Sequence, residues 1–218
     1  MKSDQQLHND VADQLKREPS IREAEIATAV KSGVVTLSGH VDSYAEKYGA
    51  VRAIERLSGV KAVVDELEVK LPSAHARPDT EIAHNAVSAL RWDITVPDDK
   101  IKMTVRDGWI TLEGEVMWQY QKASAERAIR NLMGVKGVTN LLAVRPRKAS
   151  VFDVSEKIRE ALKRSAELDA DKITISAHDG AVTLNGTVHS YAERRDAERA
   201  AWSAPGVSQV DDRIAVAF

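Results

Sequence analysis

Residues 33–41 decide the fold of this chain, and they read Gly33-Val34-Val35-Thr36-Leu37-Ser38-Gly39-His40-Val41. The pattern of glycine, leucine, glycine and valine returns at the same offsets in residues 108–116 and 180–188. The copies are separated by 75 residues and then by 72, and a further glycine follows the second one by 20 residues in each copy. Glycine is kept where the backbone needs a positive φ or a close approach, so the chain is predicted to be a tandem array of one small module. The three glycine columns are Gly33, Gly108 and Gly180, then Gly39, Gly114 and Gly186, then Gly59, Gly134 and Gly206.

The residues before each first glycine predict a helix and then a hairpin. Apolar side chains recur at i, i+4 and i+8, which places them on one face of an amphipathic helix. Alternating apolar residues follow, with Asp107-Gly108 and Asp179-Gly180 between two such runs, and this is a strong hairpin signal. The helical positions are Leu7, Val11 and Leu15, then Ile82, Ala86 and Leu90, then Val154, Ile158 and Leu162.

A second helix and a last strand complete each module. Ser43 with Glu46, and Ser190 with Glu193, have the spacing of a capping box at a helix start. The third glycine ends this helix, and a further apolar run predicts a strand. The predicted fold class is α+β: three tandem αββαβ modules, each with two helices on one face of a three-stranded mixed sheet. The predicted bounds are 1–70, 79–145 and 151–218.

Two packing predictions follow from the columns. Leu37, Leu112 and Leu184 are expected at equivalent buried positions of the three modules. The second glycine of each copy follows this leucine by two residues and is expected on the same side of the sheet, where a missing side chain lets a helix approach.

The hairpin signature together with the later run Gly-Val-x-x-Val-x-x-x-Leu-x-Val resembles the BON domain, in three copies that cover essentially the whole chain. The resemblance implies a bacterial protein associated with osmotic or other stress, whose relatives bind phospholipid membranes or other envelope components. It implies no fixed catalytic residues. Many relatives are periplasmic, whereas the first residues of this chain do not resemble a signal peptide. Two copies are the familiar number, whereas this chain has three.

Composition narrows the classes of function. The net charge is −2 and 43% of residues are hydrophobic, so no basic stripe indicates a nucleic-acid partner. Cysteine is absent, which excludes disulfides and thiolate metal sites. The first residues lack the apolar core of a signal peptide, and no apolar run is long enough to span a membrane. The expectation is therefore a cytoplasmic protein without a transmembrane segment.

The sequence predicts a protein that is not an enzyme and that uses no cofactor and no metal. The six histidines occupy six different repeat positions, and none has the spacing of a metal-ligand pair. Phosphate-loop, nucleophile-elbow and dinucleotide motifs are missing. No carboxylate is expected at an apolar core position, where a raised pKa would favour acid–base chemistry.

The tryptophans give the clearest indication of a binding surface. Each stands where its sister copies carry polar or small residues, and three of the four belong to the middle copy. Trp118 replaces the capping serine of the sister copies, at an expected cost of about 1 kcal/mol of helix stability. Two interpretations stay open: packing between modules, or an interfacial surface that binds a ligand or partner. The candidate binding residues are Trp92, Trp109, Trp118, Tyr120 and Arg127.

Two functional hypotheses follow. The first is a peripheral protein that binds anionic phospholipid or a small ligand. The second is a self-associating interaction scaffold, because small α/β layers leave a sheet face open to a partner. Carriage of a small molecule such as a drug is compatible with either surface.

Overall fold

The computed structural model of the chain describes residues 3–22, 25–145, 158 and 172–217. Within these residues each sequence copy forms its own small sheet with its own helices. The first module contains α1 (Asp4–Arg17), β1 (Ile26–Lys31), β2 (Val34–Val41), α2 (Tyr44–Glu55) and β3 (Ala62–Val69). The second contains α3 (Asp79–Trp92), a short 3-10 turn (Asp98–Lys100), β4 (Ile101–Arg106), β5 (Trp109–Val116), α4 (Gln119–Arg130), β6 (Gly137–Asn140) and β7 (Ala143–Val144). The third contains β8 (Ile173–His178), β9 (Ala181–Val188), α5 (Tyr191–Ser203) and β10 (Gln209–Val216).

The three sheets share one topology, which confirms the predicted α+β class. The middle strand of each sheet pairs antiparallel with the strand before it and parallel with the strand after the second helix. In the second module the last strand is divided at Leu141 and Leu142, and both parts pair with β5. The predicted first helix of the third module lies mostly outside the described residues, Val154 and Leu162 included, but Ile158 is described and fully buried.

Each module has a separate hydrophobic core between its helices and its sheet. Leu37, Leu112 and Leu184 are completely buried, as the repeat alignment predicts. The helical stripe residues Leu7, Val11 and Leu15 pack in the first core, and Ile82, Ala86 and Leu90 pack in the second. The period-four spacing of these residues therefore has its expected physical cause, which is burial of one helix face.

The hairpins turn through two residues with positive φ, as the Asp-Gly pairs predict. Asp107 has φ 52° and Gly108 has φ 81°. The sequence did not predict the contact that holds this turn. The Asp79 carboxylate, at the start of α3, accepts hydrogen bonds from the Asp107 amide (2.7 Å) and the Gly108 amide (2.9 Å). Asp4 does the same for Ser32 and Gly33 in the first module.

The prediction that a helix approaches the second glycine column is wrong. A Cβ on Gly114 would lie 2.1 Å from the carbonyl oxygen of Lys100, and Gly39 and Gly186 have equivalent contacts with Glu25 and Lys172. The close approach is therefore made by the backbone that leads into the neighbouring strand, not by a helix. Gly114 also has φ +136°, a conformation that a side chain rarely tolerates.

The second helices begin differently from an ideal capping box. Ser43 Oγ accepts from the Glu46 amide at 3.1 Å, as predicted. The Glu46 carboxylate reaches further back, where it accepts from the amides of Asp42 (2.9 Å) and Arg22 (2.6 Å). Glu46 is only 6% exposed, although it stands at a helix start and not at an apolar core position. Its two backbone donors explain the burial and give it a structural role.

Candidate functional site

The most exposed large apolar side chains of the described residues form one tip of the second module. Trp92 is 88% exposed and Ile94 is 99% exposed. They stand at the end of α3 and in the loop that follows it. At the same repeat positions the first module has Arg17 and Pro19. The middle copy therefore has two apolar side chains where the first copy has an arginine and a proline. We call Trp92 and Ile94 the apolar tip.

The loop that carries the apolar tip is held in one shape. Asp93 Oδ1 accepts hydrogen bonds from the Thr95 hydroxyl (2.6 Å) and the Thr95 amide (2.9 Å). These bonds lower the pKa of Asp93 below its ordinary value, and the Arg127 guanidinium contributes in the same direction. Val96, two residues beyond Ile94, is buried in the module core and donates its amide to the Asp93 carbonyl at 2.9 Å. The loop is therefore anchored on both sides of Ile94.

The start of α4 adds further candidate residues to the same region. Trp118 is the half-buried N-cap of α4, and no side-chain hydrogen bond caps the helix there. Gln121 Oε1 accepts from the Met117 and Trp118 amides, which preserves half of the capping arrangement of the sister copies. Tyr120 is 55% exposed, and Arg127 is exposed on the same helix. The electrostatic effect of Arg127 on Asp93 links this helix to the apolar tip.

Two other tryptophans lie elsewhere. Trp109 is on β5, where its neighbour Ile110 is buried in the core, so Trp109 occupies the opposite, outer face of the sheet. Its indole Nε1 donates to Thr139 Oγ1 at 2.8 Å. Trp202 is half-buried on α5 and packs against the core of the third module. The structure thus places Arg127 near the tip loop, puts Trp118 and Tyr120 at the start of the helix that carries Arg127, and leaves Trp109 on the sheet face.

The same repeat position makes a contact between modules at two junctions, and this was not predicted from the sequence. Tyr44, at the start of α2, packs against the core of the second module. Burial raises the pKa of Tyr44, and Glu126 acts in the same direction. Tyr191 is the equivalent residue of the third module; it packs against the core of the first, and its hydroxyl donates to the Lys61 carbonyl. A tyrosine recurs at the start of the second helix in the first and third copies, and this recurrence could have predicted the contact.

A second pair of repeat positions adds a contact to each of these junctions. The Arg130 guanidinium lies 4.0 Å from the centre of the Tyr48 ring, between the first and second modules. Arg195 and Glu55 form an ion pair between the third and first modules. Arg195 stands at the repeat position of Tyr48, and Glu55 stands at the repeat position of Arg130. Both junctions are therefore the same head-to-tail interface built with different chemistry.

The corresponding surface of the second module is more open. At the repeat positions of Tyr44 and Tyr48 this module has Gln119 and Ala123. Tyr120, Ala123 and Arg127 are exposed on the same helix. α4 still lies close to α5. Among the described residues, this third junction therefore lacks the tyrosine contact and the paired side chains of the other two. Trp118, Tyr120 and Arg127 lie on the surface that its sister modules use for docking.

Comparison with protein families agrees with this repeated architecture. The model of the BON domain matches residues 3–70, 78–146 and 150–217. The chain belongs to the BON-domain family. The three BON modules therefore correspond to the three sheets described above.

Individual relatives are more distant. Over 125 residues the chain is 32% identical to osmotically-inducible protein Y of Escherichia coli (strain K12), which covers 56% of this chain and 62% of that protein. The matched part is less than two thirds of that relative. Two structures of CdsD, a structural protein of the type III secretion system of Chlamydia trachomatis, are 16% and 17% identical. They cover 96% and 97% of this chain and 91% and 97% of their own, each with a TM-score of 0.27. A likeness at that score supports no conclusion about this chain.

Two properties of the described residues bear on the chemistry of the BON modules. None of the helices there combines the length and the apolar character needed to cross a bilayer. Likewise, no group of three or more histidine, aspartate or glutamate side chains in the described part is arranged to hold a metal ion.

Proposed function

We propose that this chain is a non-enzymatic binding protein that attaches peripherally to phospholipid membranes through its second BON module. The observation that carries the proposal is the apolar tip, where Trp92 is 88% exposed and Ile94 is 99% exposed. Exposing two large apolar side chains on a rigid loop has no benefit for a domain surrounded only by water. Tryptophan favours the interface between lipid and water, where its ring is partly buried and its N–H stays hydrated.

The surroundings of the tip are compatible with a headgroup layer. Arg127 lies on the adjacent helix, and Arg91 precedes Trp92 with its side chain 72% exposed and 3.7 Å from the Asp98 carboxylate. Asp93 accepts both hydrogen bonds from Thr95, which stabilise its charged form, so this carboxylate keeps its negative charge beside the tip. Arg91 and Arg127 are the positive groups of this region that can contact anionic headgroups, beside the carboxylates of Asp93 and Asp98. The name of the Escherichia coli relative, which refers to osmotic induction, favours a role under osmotic stress.

Vesicle binding tests this proposal. Trp92→Ser and Ile94→Ser are each expected to weaken flotation with vesicles that contain phosphatidylglycerol by about tenfold, because each removes a side chain whose burial contributes about 1.5–3 kcal/mol. Leu141→Ser is the matched control, since Leu141 is 57% exposed in the same module but lies between β6 and β7. Unchanged binding of both tip variants, or equal loss in the Leu141 variant, would count against the proposal.

Trp118→Ser separates binding from stability. Serine restores the sister-copy cap and should accept from the Gln121 amide, so the free energy of unfolding is expected to stay the same or rise by about 1 kcal/mol. Vesicle binding should weaken, because Trp118 begins the helix whose Arg127 lies near the tip loop. Thermal melts and flotation are measured on the same preparation. A variant that melts at a lower temperature and binds normally would assign Trp118 to packing between modules.

An interaction scaffold is the second candidate function. It is favoured by the head-to-tail junctions at Tyr44 and Tyr191 and by the open surface of α4. Head-to-tail interfaces form closed rings when the rotation between units closes, and they form open assemblies when it does not. Light scattering over a range of protein concentrations distinguishes the two functions, since a scaffold self-associates without lipid.

A further inference from the structure

The junction between the third and first modules contains a cleft lined by arginines. It lies between α2 and α5 and has a volume of about 670 Å³. Four guanidinium groups line it, two from each helix region: Arg52 and Arg56 from the first module, and Arg195 and Arg199 from the third. This cleft is separate from the apolar tip, which belongs to the second module.

The carboxylates around the cleft account for three of the four arginines. Arg195 pairs with Glu55, and Arg52 lies 3.7 Å from the same carboxylate. Arg199 pairs with Asp196 at 3.1 Å. Arg56 is exposed and has no ion pair or hydrogen bond among the residues that the structure describes.

The third carboxylate in the lining does not neutralise Arg56. Glu193 Oε2 accepts from the His189 amide at 3.0 Å, and its other oxygen accepts from the Ser190 hydroxyl at 3.3 Å. Four guanidinium groups thus face three carboxylates, Glu55, Glu193 and Asp196. The cleft keeps one positive charge in excess, and Arg56 carries it.

The cluster belongs to this junction alone in the repeat alignment. An arginine occurs in every copy at the position of Arg52 and Arg199. At the position of Arg56 the other copies have Asn131 and Ser203, and at the position of Arg195 they have Tyr48 and Ala123. The general architecture of the repeat therefore does not require four arginines here.

We infer that this cleft binds a small multivalent oxyanion of the phosphate class. The planar guanidinium group donates two parallel hydrogen bonds to phosphate oxygens and suits such ligands better than lysine does. A bound anion would balance the one positive charge in excess that Arg56 carries. It would also join two modules, since Arg52 and Arg56 come from one and Arg195 and Arg199 from the other.

Titration of the full chain with sodium pyrophosphate at low ionic strength tests the inference. Calorimetry should show binding, and Arg56→Gln should weaken it by about tenfold, because a hydrogen bond to a charged group contributes about 1.5–3 kcal/mol. Arg17→Gln is the matched control: Arg17 is exposed, lies outside the cleft and has no partner among the described residues. It should bind pyrophosphate like the unmodified chain.

Thermal melts supply a second readout, in which the order of stability of the two proteins is expected to differ without and with pyrophosphate. Without pyrophosphate, Arg56→Gln should melt at the same or a higher temperature, because it removes one like charge from the cluster. With saturating pyrophosphate the unmodified chain should become the more stable of the two, since the ligand binds the folded state. Loss of stability in both conditions would assign Arg56 a structural role and overturn the inference.

A lipid headgroup and a soluble phosphate compound both present phosphate oxygens to the arginines. The pyrophosphate titration and a vesicle-binding experiment distinguish them. If pyrophosphate binds and Arg56→Gln weakens this binding by about tenfold, the site takes a soluble anion. If pyrophosphate does not bind but Arg56→Gln, unlike Arg17→Gln, weakens attachment to phosphatidylglycerol vesicles, the anion is the headgroup. Absence of both effects overturns the inference. Soluble pyrophosphate involves no bilayer, so the pyrophosphate titration stands even if the apolar tip proves not to bind membranes.

Discussion

Gly114→Val is expected to lower the free energy of unfolding of the second BON module by about 2–6 kcal/mol, the largest effect predicted for this chain. Two costs combine. The new Cβ would lie 2.1 Å from the carbonyl oxygen of Lys100, which belongs to the backbone and cannot rotate away. The residue must also adopt φ +136°, which is strained for a β-branched side chain. A module of this size has a total stability of roughly 4–10 kcal/mol, so we expect the second module of this variant to melt well below its neighbours.

Milder and matched variants keep this prediction measurable. Gly114→Ala carries the same clash without β-branching and should fall between the unmodified chain and Gly114→Val. Gly49→Ala is the control, because Gly49 lies within α2 and a Cβ there would meet only Ser20 Oγ at 3.9 Å. It should be neutral or stabilising by up to about 1 kcal/mol through helix propensity. Calorimetric melts rank the three variants, and equal melting temperatures would contradict the argument.

The repeat predicted the fold well because it reports local requirements. Leu37, Leu112 and Leu184 recur since each fills the same core, and all three are fully buried. The Asp-Gly pairs require a particular turn, and the turn is present. The second glycine column was predicted correctly as a close approach but with the wrong neighbour. A missing side chain indicates that something is near without identifying a helix or a strand carbonyl.

The candidate site was predictable only in part. The excess of tryptophan in the middle copy identified Trp92, but its exposure depends on where α3 ends and how Asp93 and Thr95 shape the loop. Ile94 was missed, because a single apolar residue in a loop has no periodicity. The junctions were missed for another reason: Tyr44 and Tyr191 recur in two copies, but nothing within one module shows that a neighbouring module packs against them. The four arginines of the cleft are separated by up to 147 residues and meet only through the packing of α2 against α5.

Tyr191→Ala is expected to separate the third module from the first and to lower the free energy of unfolding by about 2–3 kcal/mol. The side chain packs against the core of the first module and donates to the Lys61 carbonyl, so truncation removes both an apolar contact and a hydrogen bond. Tyr191→Phe keeps the ring and should cost only about 1 kcal/mol.

The second module provides the matched control, since Gln119 stands at the same repeat position without a tyrosine contact. Gln119→Ala should change stability by no more than about 0.5 kcal/mol. Calorimetry of each variant measures the stability. Small-angle scattering reports whether the modules move apart: a larger radius of gyration is expected for Tyr191→Ala and not for Gln119→Ala. If both variants behave alike, the tyrosine does not hold the junction, and the ion pair between Arg195 and Glu55 becomes the contact that joins the two modules. The arginine cleft depends on that junction, so the same Tyr191→Ala variant should also weaken pyrophosphate binding, although all four arginines remain in the chain.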